Sequence, residues 1–179
     1  MKTPATRLLL ALLLGLPAGA LRSADKPAAP ENRVTVVFDH PEKFTDVKAG
    51  DSDDENERGA RDYLPPFKEH IEREAGRLLG AGQKLTVTFT DIDMAGAFEP
   101  WRGPQFSDVR IIKDIYPPRL VLNFTLTDAD GRVLKQGERK LSDLAFLLRI
   151  TRAFRDDPLR YEKELIDDWL DTELREAKR

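Results

Sequence analysis

Two aspartates break the apolar alternation of a strand-like segment, and they are the residues of this sequence best placed for chemistry. The segment TFTDIDMAGAFEPW covers residues 88–101. Alternate side chains from Leu85 to Phe89 form an apolar face, and the next two positions on that face are Asp91 and Asp93. Two carboxylates about two residues apart on one face can bind a divalent cation or act as an acid and base pair. The spacing therefore raises the hypothesis of a metal-assisted hydrolase.

A structural role explains the same two residues and is favoured. Apolar side chains pass from odd to even positions at Ile92 and Met94, as a β-bulge or a strand end produces. On this interpretation the aspartates accept backbone N–H bonds at the bend or pair with guanidinium groups such as Arg110 or Arg119. No histidine, oxyanion motif or repeated acidic signature accompanies them, so a catalytic role is the weaker alternative.

Composition narrows the classes of chemistry that the chain can perform. The 179 residues include no cysteine and only two histidines, and the net charge is −3. There are therefore no disulfides and no thiol nucleophile, and a histidine-rich metal centre or a Ser-His-Asp triad has few candidates. The mildly acidic charge argues against nucleic-acid binding, and no glycine-rich phosphate-binding motif occurs, so no cofactor is predicted.

The N-terminus has the pattern of an export signal. Two basic residues precede an apolar run at residues 8–16 that is too short to span a bilayer, and Ala18-Gly19-Ala20 supplies small residues for cleavage. We predict a signal peptide over residues 1–20, a flexible tether over 21–32 and a single domain over 33–179. An uncut membrane anchor is the alternative. Export implies the periplasm of a Gram-negative bacterium, or secretion, with no membrane span after cleavage.

The periodicity of the remaining chain predicts an α+β fold. Alternation indicates strands at residues 33–38, 83–90 and 119–127, a hairpin partner at 132–141 with a bulge at Gly137, and a shorter strand near 109–115. Spacings of three and four indicate helices from Pro65 to Leu79 and from Asp157 onward. Each strand is apolar on one face only, which predicts a two-layer fold. Its sheet is mainly antiparallel, with four to five strands and two main helices packed on one face.

The polar segment from Asp39 to Arg61 is predicted to be a loop, and its last few residues are also compatible with the start of a helix. This loop contains an acidic stretch. Its carboxylates at residues 51–57 repel one another unless they are solvated or bound to a cation. The stretch lacks the residue order of an EF-hand loop, so solvation is favoured over calcium binding.

Five segments resemble one protein family. They are FTDV at 44–47, DIDMAGAFEPW at 91–101, RIIKDIYPPRL at 110–120, KLSDLAF at 140–146 and DPLRYEKELIDDW at 157–169. Together they are similar to a family of exported bacterial proteins known only as a domain of unknown function, numbered 3016. The resemblance implies a Gram-negative envelope protein and carries over no activity, ligand or catalytic residue.

The function predicted from these features is a soluble periplasmic binding or interaction module without catalytic activity. Its partner would be an envelope protein or a small ligand, reached by strand addition at a sheet edge or through the segment from Pro100 to Asp114. Tryptophan and arginine dominate binding hot spots, so this segment supplies contact residues. The candidate binding residues are Asp91, Asp93, Trp101, Phe106, Arg110, Tyr116 and Arg119. The alternative is the metal-assisted hydrolase that uses Asp91 and Asp93.

Overall fold

The computed structural model describes residues 33–50, 54–149 and 156–176. The predicted signal peptide, residues 1–20, and the predicted tether, residues 21–32, lie outside these ranges. No helix of the described part of the chain is long and apolar enough to cross a membrane.

One layer of the fold is a four-stranded sheet. Its strands are β1 (Val34–Phe38), β2 (Lys84–Asp93), β5 (Arg119–Thr127) and β6 (Val133–Ser142), and a separate ribbon pairs β3 (Ala97–Phe98) with β4 (Arg110–Ile111). The four strands lie in the order β1-β2-β5-β6. The β1–β2 pair is parallel and the other two pairs are antiparallel. The predicted mainly antiparallel sheet is confirmed, with four strands.

The second layer consists of two helices, α1 (Asp54–Leu78) and α2 (Arg160–Glu176). Alternate residues of each strand are buried against the helices. In β5 the buried residues follow a period of two and are Leu120, Leu122, Phe124 and Leu126. On α2 the buried positions recur at spacings of three and four and include Trp169, whose ring meets that of Phe124 edge to face. The predicted α+β fold is therefore confirmed, and α2 follows the stripe predicted for it.

The start of α1 was placed too late by the sequence. The helix begins by Asp54 and runs through Pro65 and Pro66 rather than starting at them. The end of the predicted loop is therefore helical, as its last few residues allowed, from Asp54 onward. Each proline removes one helical N–H donor, and burial of the neighbouring Leu64 and Phe67 against the core offsets that loss.

Close contact with the preceding loop also holds the first turns of α1. A β-carbon at Gly59 would lie 2.1 Å from the carbonyl oxygen of Val47, so only glycine lets the helix approach the loop this closely. The N–H of Ala49 donates to the carbonyl of Glu55 across the same contact. Glu55 itself pairs with Arg58, so this carboxylate of the acidic stretch is neutralised on the helix surface.

The bulge in the β5–β6 hairpin was predicted at the wrong residue. Gly137 pairs in register with Phe124, and the register shifts instead between the pairs Leu126–Lys135 and Thr127–Val133. The extra residue is Leu134, immediately after the turn, where the strong twist of a hairpin accommodates a bulge most easily.

Candidate functional site

A bulge in β2 sets the positions of Asp91 and Asp93 in the sheet. Phe89 pairs with Leu122 and Asp91 pairs with Val121, so Thr90 is the extra residue. The strand continues to Asp93, and the bulge shifts its phase so that the apolar side chains that follow point into the core. Of the two alternatives that the change from odd to even apolar positions predicts, a bulge or a strand end, the bulge is confirmed, and the predicted end of the strand at Thr90 is wrong.

Both aspartates hold neighbouring segments in place. Asp91 accepts hydrogen bonds from Thr45 at both oxygens, from the backbone N–H at 2.7 Å and from the hydroxyl at 2.8 Å. Asp93 accepts a hydrogen bond from Arg119 at 3.0 Å. Burial raises the pKa of Asp93 despite this contact, because desolvation outweighs the attraction of the guanidinium group. These two carboxylates and Arg119 form structural contacts across the end of the sheet.

Arg110 pairs with a different carboxylate, that of Asp46. Its two terminal nitrogens bind the two oxygens of Asp46, each at 2.8 Å, in a bidentate pair that is mostly buried. The same nitrogens donate to the carbonyls of Gly96 and Lys48. The Arg110 guanidinium also lies 4.6 Å from the centre of the Phe98 ring. Arg110 therefore ties β4 to the loop before α1.

Between β2 and β5 the chain leaves the sheet and forms a small lobe, residues 96–116, which we call the β3–β4 lobe. Its ends meet where the N–H of Gly96 donates to the carbonyl of Tyr116 at 3.0 Å. Gly96 has a φ of 83°, and a β-carbon there would lie 2.6 Å from the side chain of Ile112. Only glycine satisfies both the backbone angle and the close approach at the base of the lobe.

A buried carboxylate, that of Glu99, organises the interior of the lobe. The residue is 1% exposed, and its oxygens accept hydrogen bonds from Arg102, from Lys113 and, at 3.0 Å, from the Tyr116 hydroxyl. The hydrogen bond from Lys113 and those from Arg102 and Tyr116 lower the pKa of Glu99, which stays ionised despite its burial. The same contact raises the pKa of Tyr116, because its hydroxyl proton is shared with the carboxylate.

Next to this fixed interior the lobe presents apolar side chains to solvent. Trp101 lies in a single 3-10 turn, Pro100–Arg102, and is 73% exposed. Ile115 is 65% exposed and Val109 is also exposed. Phe106 lies in the following 3-10 turn and is half-buried, so it contributes less surface. The lobe thus combines a hydrogen-bonded charged centre with an exposed apolar surface.

Glu162 is a second buried carboxylate, and it occupies the buried stripe of α2. It is 1% exposed, and one oxygen accepts a hydrogen bond from the N–H of Ala95 at 2.7 Å. The other oxygen is buried without a partner. Burial raises the pKa of Glu162 to about 7, since its hydrogen bonds and the charge of Arg110 offset only part of the desolvation. A carboxylate so placed is a feature of functional sites.

The one buried histidine is not arranged as a catalytic base. His70 on α1 contacts Asp167 on α2 at 2.7 Å through one ring nitrogen. Its other ring nitrogen contacts Arg73 at 2.9 Å. Both nitrogens contact charged groups, Asp167 across the two helices and Arg73 within α1, so neither is placed to accept a proton from a nucleophile.

The seven residues predicted to bind are distributed over three places. Asp91, Asp93 and Arg119 form contacts at the end of the sheet, while Arg110 and Tyr116 support the lobe from inside. Trp101 and Phe106 lie at its surface. Over residues 33–50, 54–149 and 156–176, no three histidine, aspartate or glutamate side chains converge as a metal site would require.

Sequence reasoning missed Glu99 and the importance of Glu162. Glu162 carried a usable signal, because an acidic residue in an otherwise apolar helical stripe must be buried. Glu99 carried none, since its partners lie 3, 14 and 17 residues away in a segment without periodicity.

Comparison with known proteins gives one match. A family model described as a protein of unknown function, DUF3016, matches residues 32–172. No curated protein and no solved structure matches the chain.

We expect the two aspartates to differ in their effect on stability. Asp91→Ala removes both hydrogen bonds to Thr45 and should lower the free energy of unfolding by about 1–2 kcal/mol. Asp93→Asn should change it by less than about 0.5 kcal/mol, because the charge that it removes is already penalised by burial. Urea unfolding of both variants measures the difference, and an unchanged Asp91→Ala variant would contradict the structural role.

The raised pKa of Glu162 should make it destabilising at neutral pH. The folded protein keeps the proton between pH 4.5 and about 7 while the unfolded chain releases it, so this group lowers stability as pH rises through that range. Glu162→Gln should therefore gain about 2–3 kcal/mol relative to the wild type between pH 5 and pH 8.

Denaturant unfolding at the two pH values measures this gain. Glu164→Gln on the same helix is the matched control and should run parallel to the wild type. If the stability of Glu162→Gln also changed with pH in parallel with that of the wild type, the result would contradict a raised pKa of the buried Glu162 carboxylate.

Proposed function

This chain belongs to the DUF3016 family, and we propose that it is a non-catalytic binding module of the bacterial envelope that contacts its partner through the β3–β4 lobe. The observation that carries the proposal is the contrast between two neighbouring side chains, Glu99 at 1% exposure and Trp101 at 73%. A tryptophan on the surface beside a fixed charged centre is the anchor of a pre-organised interface.

The rigidity of the lobe favours binding because less conformational entropy is lost when the partner docks. Glu99 and its three donors connect the first 3-10 turn, Pro100–Arg102, with the approach to β5. Arg110 fixes the other side of the lobe to Asp46. These contacts leave the backbone around Trp101 few internal degrees of freedom. The exposed ring of Trp101 supplies the apolar surface that a partner would bury.

Among the described strands, the edges of the sheet are less suited to binding than the lobe. The β6 edge carries several charged side chains, among them Lys135, Glu138 and Lys140, and β1 at the opposite edge is only five residues long. Charge and shortness are the features by which proteins protect an edge strand against pairing with another chain. The lobe is therefore the preferred contact surface, and strand addition is the secondary one.

The charge pairs of the site favour binding over catalysis. Asp91 and Asp93, the residues of the hydrolase alternative, are each engaged with a donor of the fold, Thr45 and Arg119. A general acid or base must exchange protons with a substrate, and none of the described features gives either carboxylate an open cavity to do so. Location in the periplasm, or secretion, is part of the proposal and is supported by the N-terminal sequence.

The test is capture of an envelope partner through the lobe. A photo-crosslinking amino acid is placed at the exposed position 115 in cells that export the full chain, and recovery of the partner is compared between chains with Trp101 and with Trp101→Ala. We expect at least a tenfold loss of partner with Trp101→Ala, because truncation of a central tryptophan costs 2 kcal/mol or more of binding free energy.

The matched control is Leu148→Ala, which removes an equally exposed apolar side chain outside the lobe. Both substitutions should leave the melting temperature nearly unchanged, so a binding loss is not a folding loss. Equal recovery with Trp101→Ala and the wild type, or equal loss with Leu148→Ala, would contradict the role of the lobe.

A further inference from the structure

Strand β6 forms one edge of the four-stranded sheet, and within the described residues it pairs with β5 alone. It is ten residues long, whereas β1 at the opposite edge has five residues. The backbone N–H and carbonyl groups along an open edge can form a second ladder with another strand. The side chains of β6 therefore decide which strand this long edge accepts.

The side chains that β6 directs away from the helices include one acid and one base. Glu138 and Lys140 are both exposed, lie two residues apart on the open face of the sheet and contact each other at 3.4 Å. They flank Arg139, whose side chain lies on the opposite face and binds Glu173 of α2. An unrelated strand would have to match this order of charges, so the charges protect the edge against most other chains.

A second copy of β6 matches the order of charges by symmetry. When two β6 strands pair antiparallel about a two-fold axis at Arg139, Glu138 of each copy lies opposite Lys140 of the other. Directly opposite residues of such a pair point to the same face, with Cβ atoms about 4.5–5.5 Å apart. The two acids and two bases then form a square of alternating charge. The contact within each strand is kept, and each charge gains a second opposite neighbour.

Exposed apolar side chains lie near both ends of the same strand. Leu134 is exposed at the bulge that follows the hairpin turn, and Leu144, two residues beyond the end of β6, is 79% exposed. Each of them lies five residues from Arg139, so the same two-fold axis brings Leu134 of one copy toward Leu144 of the other. Apolar contact at both ends of the pair therefore supplements the charge pairs at its centre.

Arg139, at the axis itself, is held away from the open edge. Its guanidinium group binds Glu173 on α2 and lies 4.9 Å from the centre of the Phe124 ring on β5. It also donates to the carbonyl of Glu138 at 2.9 Å, and a carbonyl oxygen can accept a second hydrogen bond from a paired strand. The two Arg139 groups are thus engaged within their own copies and do not have to meet at the axis.

We propose that this protein forms a homodimer in which two β6 strands pair antiparallel about Arg139 and join the two four-stranded sheets into one. The neighbouring two-fold registers place the axis at Glu138 or at Lys140, where two like charges lie opposite each other. Like charges directly opposite destabilise a strand pair, so the charges select the register as well as the second strand. This contact does not depend on partner binding by the lobe.

Charge reversals in β6 test the proposal on the mature chain. Sedimentation velocity from about 1 to 200 µM compares the wild type with Glu138→Lys, with Lys140→Glu and with the double variant. We expect the wild type to dimerise in this range. Each single reversal places like charges opposite each other twice and should raise the dissociation constant of the dimer at least tenfold. The double variant restores opposite charges and should dimerise within about threefold of the wild type.

A mixture of the two single variants separates the β6 contact from any other contact between copies. Glu138→Lys has two bases on the edge and Lys140→Glu has two acids, so each base lies opposite an acid only in the mixed pair. We expect the mixture to dimerise while each variant alone is mainly monomeric. Glu69→Lys makes the same charge change at an exposed position of α1 and is the matched control, which should dimerise as the wild type does.

Three outcomes would overturn the proposal. A wild type that stays monomeric up to about 200 µM would show that the edge does not pair. Wild-type dimerisation in both single variants would place the dimer contact elsewhere. A mixture as monomeric as its components would show that opposite charges at these positions do not join two copies. Circular dichroism spectra equal to that of the wild type distinguish a lost dimer from a lost fold.

Discussion

A carboxylate shielded from water and held by three hydrogen-bond donors is the interaction on which the β3–β4 lobe, the proposed binding surface, depends. Glu99 lies between β3 and a single 3-10 turn, and no regular element of the β3–β4 lobe is longer than three residues. Backbone hydrogen bonds alone would leave such a segment loosely ordered. Arg102, Lys113 and Tyr116 supply the order by converging on one charge, and the exposed position of Trp101 follows from it.

The lobe is joined to the rest of the domain through charged contacts of the same kind. Arg110 reaches from β4 to Asp46, and Glu162 reaches from α2 to the N–H of Ala95 at the base of the lobe. Both groups keep a buried polar atom without a partner. An apolar residue at position 162 would continue the stripe of α2 but would leave the buried N–H of Ala95 without its acceptor, so Glu162 joins α2 to the base of the lobe.

The sequence predicts the fold well where side chains follow a regular period. The alternation in β5 and the three-and-four spacing in α2 determine which faces are buried. The shift of phase after Phe89 indicates a bulge or a strand end, and the structure shows the bulge. Prediction fails where tertiary contact overrides a local rule. The prolines of α1 suggested a helix start, yet the close approach at Gly59 and the burial of Phe67 hold the helix together on both sides of them.

The candidate site is less predictable than the fold for a physical reason. The contacts that form it join residues with no common period, such as Asp46 with Arg110 and Glu99 with Tyr116, so they exist only after the chain has folded. Residue type indicated Trp101 and Arg110 as binding residues, because tryptophan and arginine dominate binding hot spots. Their opposite environments, one exposed and one mostly buried, depend on the three-dimensional arrangement alone.

The most direct test of this account is the backbone order of residues 96–116, measured by NMR relaxation in the mature protein and in Glu99→Gln. A lobe fixed by Glu99 should have order parameters near those of the sheet, about 0.85, and should lose order in the variant while β2 and β5 keep theirs. Order parameters below about 0.6 in the wild-type lobe, or an equally ordered lobe in Glu99→Gln, would contradict it.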